Sequence, residues 1–159
     1  MKIMILTLLL FGSLFSAEIT FKETRYMVAL DFEREKYGSL SVNEENLIIK
    51  YTKPSVETIS YLSDRITILK DDDISEYTFE EYPKSQYMGL ILKAIIKDEY
   101  RSLDELFEIK KENNIVNLVG KPIVYSVIES IHIEKNDNLM KKIIINMTNK
   151  DIVTIETVN

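Results

Sequence analysis

From Ile19 the chain alternates. Ile19, Phe21, Glu23, Arg25 and Met27 fall on one side of an extended segment, and Thr20, Lys22, Thr24 and Tyr26 on the other. This two-residue period is that of a β-strand with two different faces. Strands are predicted next over 37–42 and 47–51, around the polar turn Asn43-Glu44-Glu45-Asn46, a hairpin that ends at Lys53-Pro54. Similar patterns run over 56–61, 65–69 and 74–80, separated by Leu62-Ser63-Asp64 and by Asp71-Asp72-Asp73. The acidic triplet lacks the spaced oxygen ligands and glycine of a calcium loop, so it is expected to be a solvated turn.

The period changes after Pro83. Tyr87, Leu90/Ile91 and Ala94/Ile95 recur at helical spacing within 84–99. That segment is apolar round more than half its circumference, which predicts a helix covered on two sides or lying over a cavity. A short helical turn capped by Ser102 is expected over 101–106. Strand patterns resume over 107–111, 115–119, 127–134, 139–147 and 152–158, interrupted at Gly120-Lys121-Pro122 and otherwise joined by polar runs of three or four residues that favour antiparallel neighbours.

The expected fold class is therefore mainly β, with an α+β element: about ten short antiparallel strands and one mid-chain helix. Such a sheet must close, curl or stack. Leu40, Leu47, Ile49, Ile59, Ile66, Ile68, Ile143 and Ile145 are its inward candidates, and Tyr51, Tyr61, Tyr77, Tyr82 and Tyr87 fit the rim of an apolar wall. Periodicity leaves two readings open. The sheet is a container for an apolar ligand with the helix as its lid, or the aliphatic side chains simply fill a core.

The first residues read differently. Lys2 precedes an apolar run of about a dozen residues that ends in Ser13-Leu14-Phe15-Ser16-Ala17, the layout of a secretory signal peptide. It is short for a spanning helix, which needs roughly 20 apolar residues. Cleavage is expected after Ala17, leaving 18–159 as one domain. Removing 17 of 159 residues leaves 142, and the loss of Lys2 takes the net charge from −6 to −7.

Composition then removes most enzyme classes. There is no cysteine and one histidine, so no thiol nucleophile, disulfide or Cys-based zinc site exists. Four glycines leave no phosphate-cradling loop, and an acidic chain is poorly suited to nucleic acid. His132, between Ile131 and Ile133, is expected to be a surface or interface histidine. The pairs Glu44-Glu45 and Glu80-Glu81 fit solvated turns better than acid–base work. Arg25 is a candidate anchor for a cargo headgroup or a partner, with a cross-strand pair to a glutamate as the plainer expectation.

Phe21-Lys22-Glu23-Thr24-Arg25, Gly38-Ser39-Leu40, 47–51 with Lys53-Pro54, the 83–96 helix, Leu103 to Ile109, Ile128 to Ile133, Ile143 to Asn146 and Asp151 to Ile155 occur in an order that resembles the periplasmic outer-membrane lipoprotein carriers. The resemblance spans nearly all of 19–158. It departs from them in lacking tryptophan, in entering the first strand without a preceding helix, and in having Asn43-Glu44-Glu45-Asn46 where many carriers place an arginine. It implies a strongly curved, incomplete antiparallel barrel with a helical lid over an apolar cavity. Leu40, Leu47, Ile49, Tyr51, Ile59, Tyr61, Ile66 and Ile68 from the strands, and Tyr87, Leu90, Ile91 and Ile95 from the lid, would then contact the acyl chains of lipoproteins or a related lipid. It further implies no catalytic residue, no cofactor and no metal. The chain would be a periplasmic monomer that receives cargo from an inner-membrane releasing complex and passes it to an outer-membrane acceptor.

Overall fold

A computed structural model describes residues 18–43, 46–137 and 139–158. The expected leader, 1–17, and the pair Glu44-Glu45 lie outside the described residues. The chain runs β1 (Glu18–Met27), β2 (Phe32–Asn43), β3 (Asn46–Lys53), β4 (Glu57–Tyr61), β5 (Arg65–Lys70), β6 (Asp73–Thr78), helix α1 (Gln86–Lys97), β7 (Phe107–Glu112), β8 (Ile115–Gly120), α2 (Pro122–Tyr125), β9 (Ile128–Asn136), β10 (Leu139–Met147) and β11 (Ile152–Thr157). These eleven strands form one sheet in the order β6-β5-β4-β3-β2-β1-β11-β10-β9-β8-β7. Every neighbouring pair is antiparallel. The first and last strands meet at its middle, with Phe21 opposite Thr157.

The sheet is curled but unclosed, since β6 and β7 stand at its two ends. The helix lies over the middle of the sheet. β3 and β10 are separated by three strands, and α1, twelve residues long, comes close to both. This is the expected incomplete barrel with a helix in its concave face, with eleven strands where the pattern suggested about ten.

Turn chemistry accounts for much of the register. β5 and β6 are joined by two residues only, with Lys70 opposite Asp73. Asp71 and Asp72 have φ of 50° and 67°, the pair of positive angles that a tight hairpin of this twist requires. Aspartate tolerates that region better than most residues. Asp98 does the same at the C-terminus of α1, with φ 57° and its N–H turned back to the carbonyls of Ala94 and Ile95.

Three local expectations are corrected. β2 begins at Phe32, not 37, because 32–36 is a largely exposed stretch whose polarity hides the alternation. Ser102 caps nothing: it lies within a 3-10 turn, Tyr100–Leu103, and its hydroxyl donates to the Glu99 carbonyl at 2.8 Å. The interruption at Gly120-Lys121-Pro122 holds the short helix α2, with Pro122 in its first turn. Among the described residues no helix is long and apolar enough to cross a membrane.

Arg25 pairs with Asp151 rather than with a glutamate. Its Nη2 donates to Asp151 Oδ2 at 2.8 Å, and the Val28 N–H donates to Oδ1 at 3.2 Å. Asp151 is 6% exposed. The hydrogen bond from Arg25 is the chief cause holding its carboxyl below the usual carboxylate range. The stability it contributes is therefore complete above the unfolded value, about 3.9. It is lost as pH falls through the lower, folded value. Asp151→Asn is expected to reduce stability at neutral pH and to flatten the loss below about pH 4. Urea unfolding followed across the acid range checks this; superimposable acid limbs for the two proteins would exclude it.

Candidate functional site

Residues directly opposite one another in an antiparallel ladder project to the same face, so the register maps the concave wall. One row runs Leu40, Ile49, Ile59, Ile68 across β2 to β5, and the next runs Leu47, Tyr61, Ile66. On the other flank Val153, Ile145, Ile131 and Leu118 form a row, and Ile155, Ile143, Ile133 and Val116 another. Leu40, Leu47, Ile49, Tyr51, Tyr61 and Ile66 are buried there, and Ile59 and Ile68 are half-buried against the same core. The strand residues expected to share one wall do share it. The second flank, β8 to β11, supplies an equal part of the wall. Only Ile143 and Ile145 signalled it in the sequence, because its remaining aliphatics sit in strands whose facing could not be fixed without register.

The helix seats against this wall with Ile91 and Ile95, which are fully buried, together with Leu92 and Ala94. Tyr87 is half-buried, and its hydroxyl donates to the Ile123 carbonyl at 3.5 Å. Leu90 does not join them. It is 39% exposed and lines an outer groove of about 320 Å³ with Ser63, Lys93, Ala94 and Lys97. The reason is angular. At about 100° per residue, Leu90 lies a quarter-turn behind Ile91, and the buried arc extends the other way, through Leu92 to Gly89.

Gly89 completes that arc. A Cβ placed there would stand 2.5 Å from Cδ1 and 2.8 Å from Cγ of Tyr61, so the glycine is what lets the helix lie flat on the tyrosine ring. Alanine is the better helix former by about 1 kcal/mol, but the overlap is with the root of the ring, not its tip. Gly89→Ala is therefore expected to be net destabilising by about 1–2 kcal/mol, and Tyr61→Ala in the same chain should remove that penalty. Chemical unfolding of the four proteins of the cycle measures the coupling; additive losses would show that α1 is not held against Tyr61.

Toward one end the wall turns polar. Tyr51 donates to Glu23 Oε2 at 2.6 Å, Lys36 Nζ lies 4.2 Å from the centre of the Tyr51 ring, and Lys36 pairs with Glu57 at 3.2 Å. Burial, then the nearby Glu23, pushes the Tyr51 phenol well above its ordinary range, and the same two causes push Tyr61 up to about 12. Both remain neutral donors at any physiological pH. The sequence carried one signal for this cluster, the shared parity of Phe21 and Glu23. The bulge between Tyr37 and Gly38 obscured the contribution of β3.

Gly38 lies between two rings. It faces Phe21 on one side and Tyr51 on the other, and these rings meet edge to face across it, 5.8 Å between centroids. His132 is on the convex side, its Nδ1 2.7 Å from Asn117 Oδ1. Among the described residues no three acidic or histidine side chains gather as a metal site.

A scan against protein-family models finds no match, and a search of curated proteins finds no significant one.

Proposed function

We propose that the chain is an acyl-chain carrier of the periplasm. It is exported by residues 1–17 and takes the hydrocarbon tail of a lipoprotein or a related lipid onto its concave face when α1 moves aside. The observation that carries this reading is how α1 is seated. Ile91, Leu92 and Ile95 occupy an apolar wall that spans the sheet, and such contact is non-directional. Hydrocarbon can replace it.

The magnitudes are matched. Exposing three such side chains costs roughly 1.5–3 kcal/mol each. Burying a chain of about a dozen methylenes returns roughly 10 kcal/mol before ordering costs. An exchange so close to balance permits both loading and release, and it needs no covalent chemistry.

The test is direct. Protein isolated from an envelope fraction should yield acyl lipid by mass spectrometry, and a fluorescent fatty acid should bind the delipidated protein at micromolar concentration. No binding at high micromolar probe would exclude the carrier reading.

One observation favours a second reading, an exported interaction module. The buried side chains of sheet and helix form one contiguous cluster, and large ones such as Leu47, Ile91 and Leu118 are less than 2% exposed. In that reading the core is permanently filled, no lipid binds, and the free edge of β6 or β7 recruits a protein strand.

A further inference from the structure

We propose that Arg25 and Arg34 form a clamp for the anionic headgroup of an acyl ligand, so that the cargo is a negatively charged lipid. The inference rests on the carrier reading and names its ligand class. Arg25 and Arg34 face each other directly in the β1–β2 ladder. They project to the face that carries Phe21 and Leu40, because β1 and β2 pair without a register shift from Glu18 to Met27. Like charges placed directly opposite each other destabilise a sheet, so the pair calls for a counter-charge.

The protein supplies only part of one. Asp151 accepts a single bond from Arg25 Nη2, while the Arg25 Nε–H is buried with no acceptor. Arg34 is exposed and makes no ion pair among the described residues. The acids next along this face are already engaged: Glu23 by the Tyr51 hydroxyl, and Glu57 by Lys36. Glu33 and Glu35 flank Arg34 in sequence but alternate to the convex face, where Glu35 pairs with Lys22.

The surroundings suit an amphiphile. Arg25 stands directly beside Val153 in the ladder, and Val153 begins the buried apolar row that continues through Ile145, Ile131 and Leu118. Phe32, on the same face one step beyond Arg34, is 53% exposed. A phosphate or carboxylate bridging the two guanidinium groups would place its hydrocarbon tail on that row. Planar guanidinium forks suit such oxyanions.

The experiment is calorimetric titration of the delipidated full chain with dodecyl phosphate, dodecyl maltoside and inorganic phosphate, each of the detergents below its micellar threshold. Arg34→Gln is the variant, since Arg34 holds no other side chain in place. The parent protein is expected to bind dodecyl phosphate about 10-fold tighter than dodecyl maltoside. Arg34→Gln should remove that preference and leave the maltoside affinity unchanged. Without ligand its Tm should be no lower than the parent's, because a like-charge contact is relieved. Equal affinity for the two detergents, or a preference that survives the substitution, overturns the clamp and leaves the carrier reading intact. Binding of neither detergent removes the carrier reading. If inorganic phosphate alone then binds, in an Arg34-dependent way, the pair is a site for a free anion and the lipid assignment is wrong.

Discussion

Ile91→Asp is expected to abolish the native state or release α1 from the sheet. Ile91 is fully buried within the helix's seated arc. Removing its side chain leaves a cavity worth about 2–5 kcal/mol, and the carboxylate that replaces it has no partner on an apolar wall, which adds a further penalty of a few kcal/mol. The sum approaches the whole stability of a domain, roughly 5–15 kcal/mol. Loss of the cooperative urea transition, or strong binding of a dye for exposed apolar surface, is the expected readout. Leu90→Asp, one residue away on the outer arc, should change stability by no more than about 0.5 kcal/mol. The contrast between neighbours is the measurement that matters. If Ile91→Asp unfolds at the same urea concentration as the parent, α1 does not pack on the concave face.

Gly38→Ala comes next in expected size. An added Cβ would sit 2.2 Å from the Lys50 carbonyl oxygen and 3.0 Å from Tyr51 Cα. Both are backbone atoms of the paired strand, so no rotamer change relieves the overlap. The strands must separate or slip, and a slip moves Leu40, Ile49 and Tyr51 off the buried face. We expect a loss of about 3 kcal/mol, the upper part of the range for overpacking. The edge-to-face contact of Phe21 and Tyr51 should go with it, since that contact depends on the space above Gly38. Near-ultraviolet circular dichroism, which in a chain without tryptophan reports the tyrosines, and thermal unfolding together check this. A variant of parental Tm with an unchanged aromatic signal would contradict the register described for β2 and β3.

Much of the architecture was legible before any coordinates. Two-residue alternation marked the strands because one face of each is buried and the other wet. The helix stood out because its period differed. Polar three- and four-residue connections marked antiparallel neighbours. What escaped notice has particular causes. The first part of β2 is exposed, so its alternation is chemically muted. The orientation of α1 depends on an arc centred between Ile91 and Leu92, and the segment is apolar so far round that Leu90 and Ile91 were equivalent by period alone. The polar end of the wall, with Glu23, Lys36, Tyr51 and Glu57, draws one member from each of four strands, and only cross-strand register assembles it. The same holds for Arg25 and Arg34, which are nine positions apart in the chain and directly opposed in the ladder.

The seam at the middle of the sheet bears on how the chain is made. β1 pairs with β11, so β1 waits for the much later β11 before its second neighbour arrives. Until then two separate meanders each expose the apolar side of an edge that will become the centre of the core. Contacts so distant in sequence form slowly. A truncation that removes 152–158 would leave the two halves unjoined, however complete each is by itself.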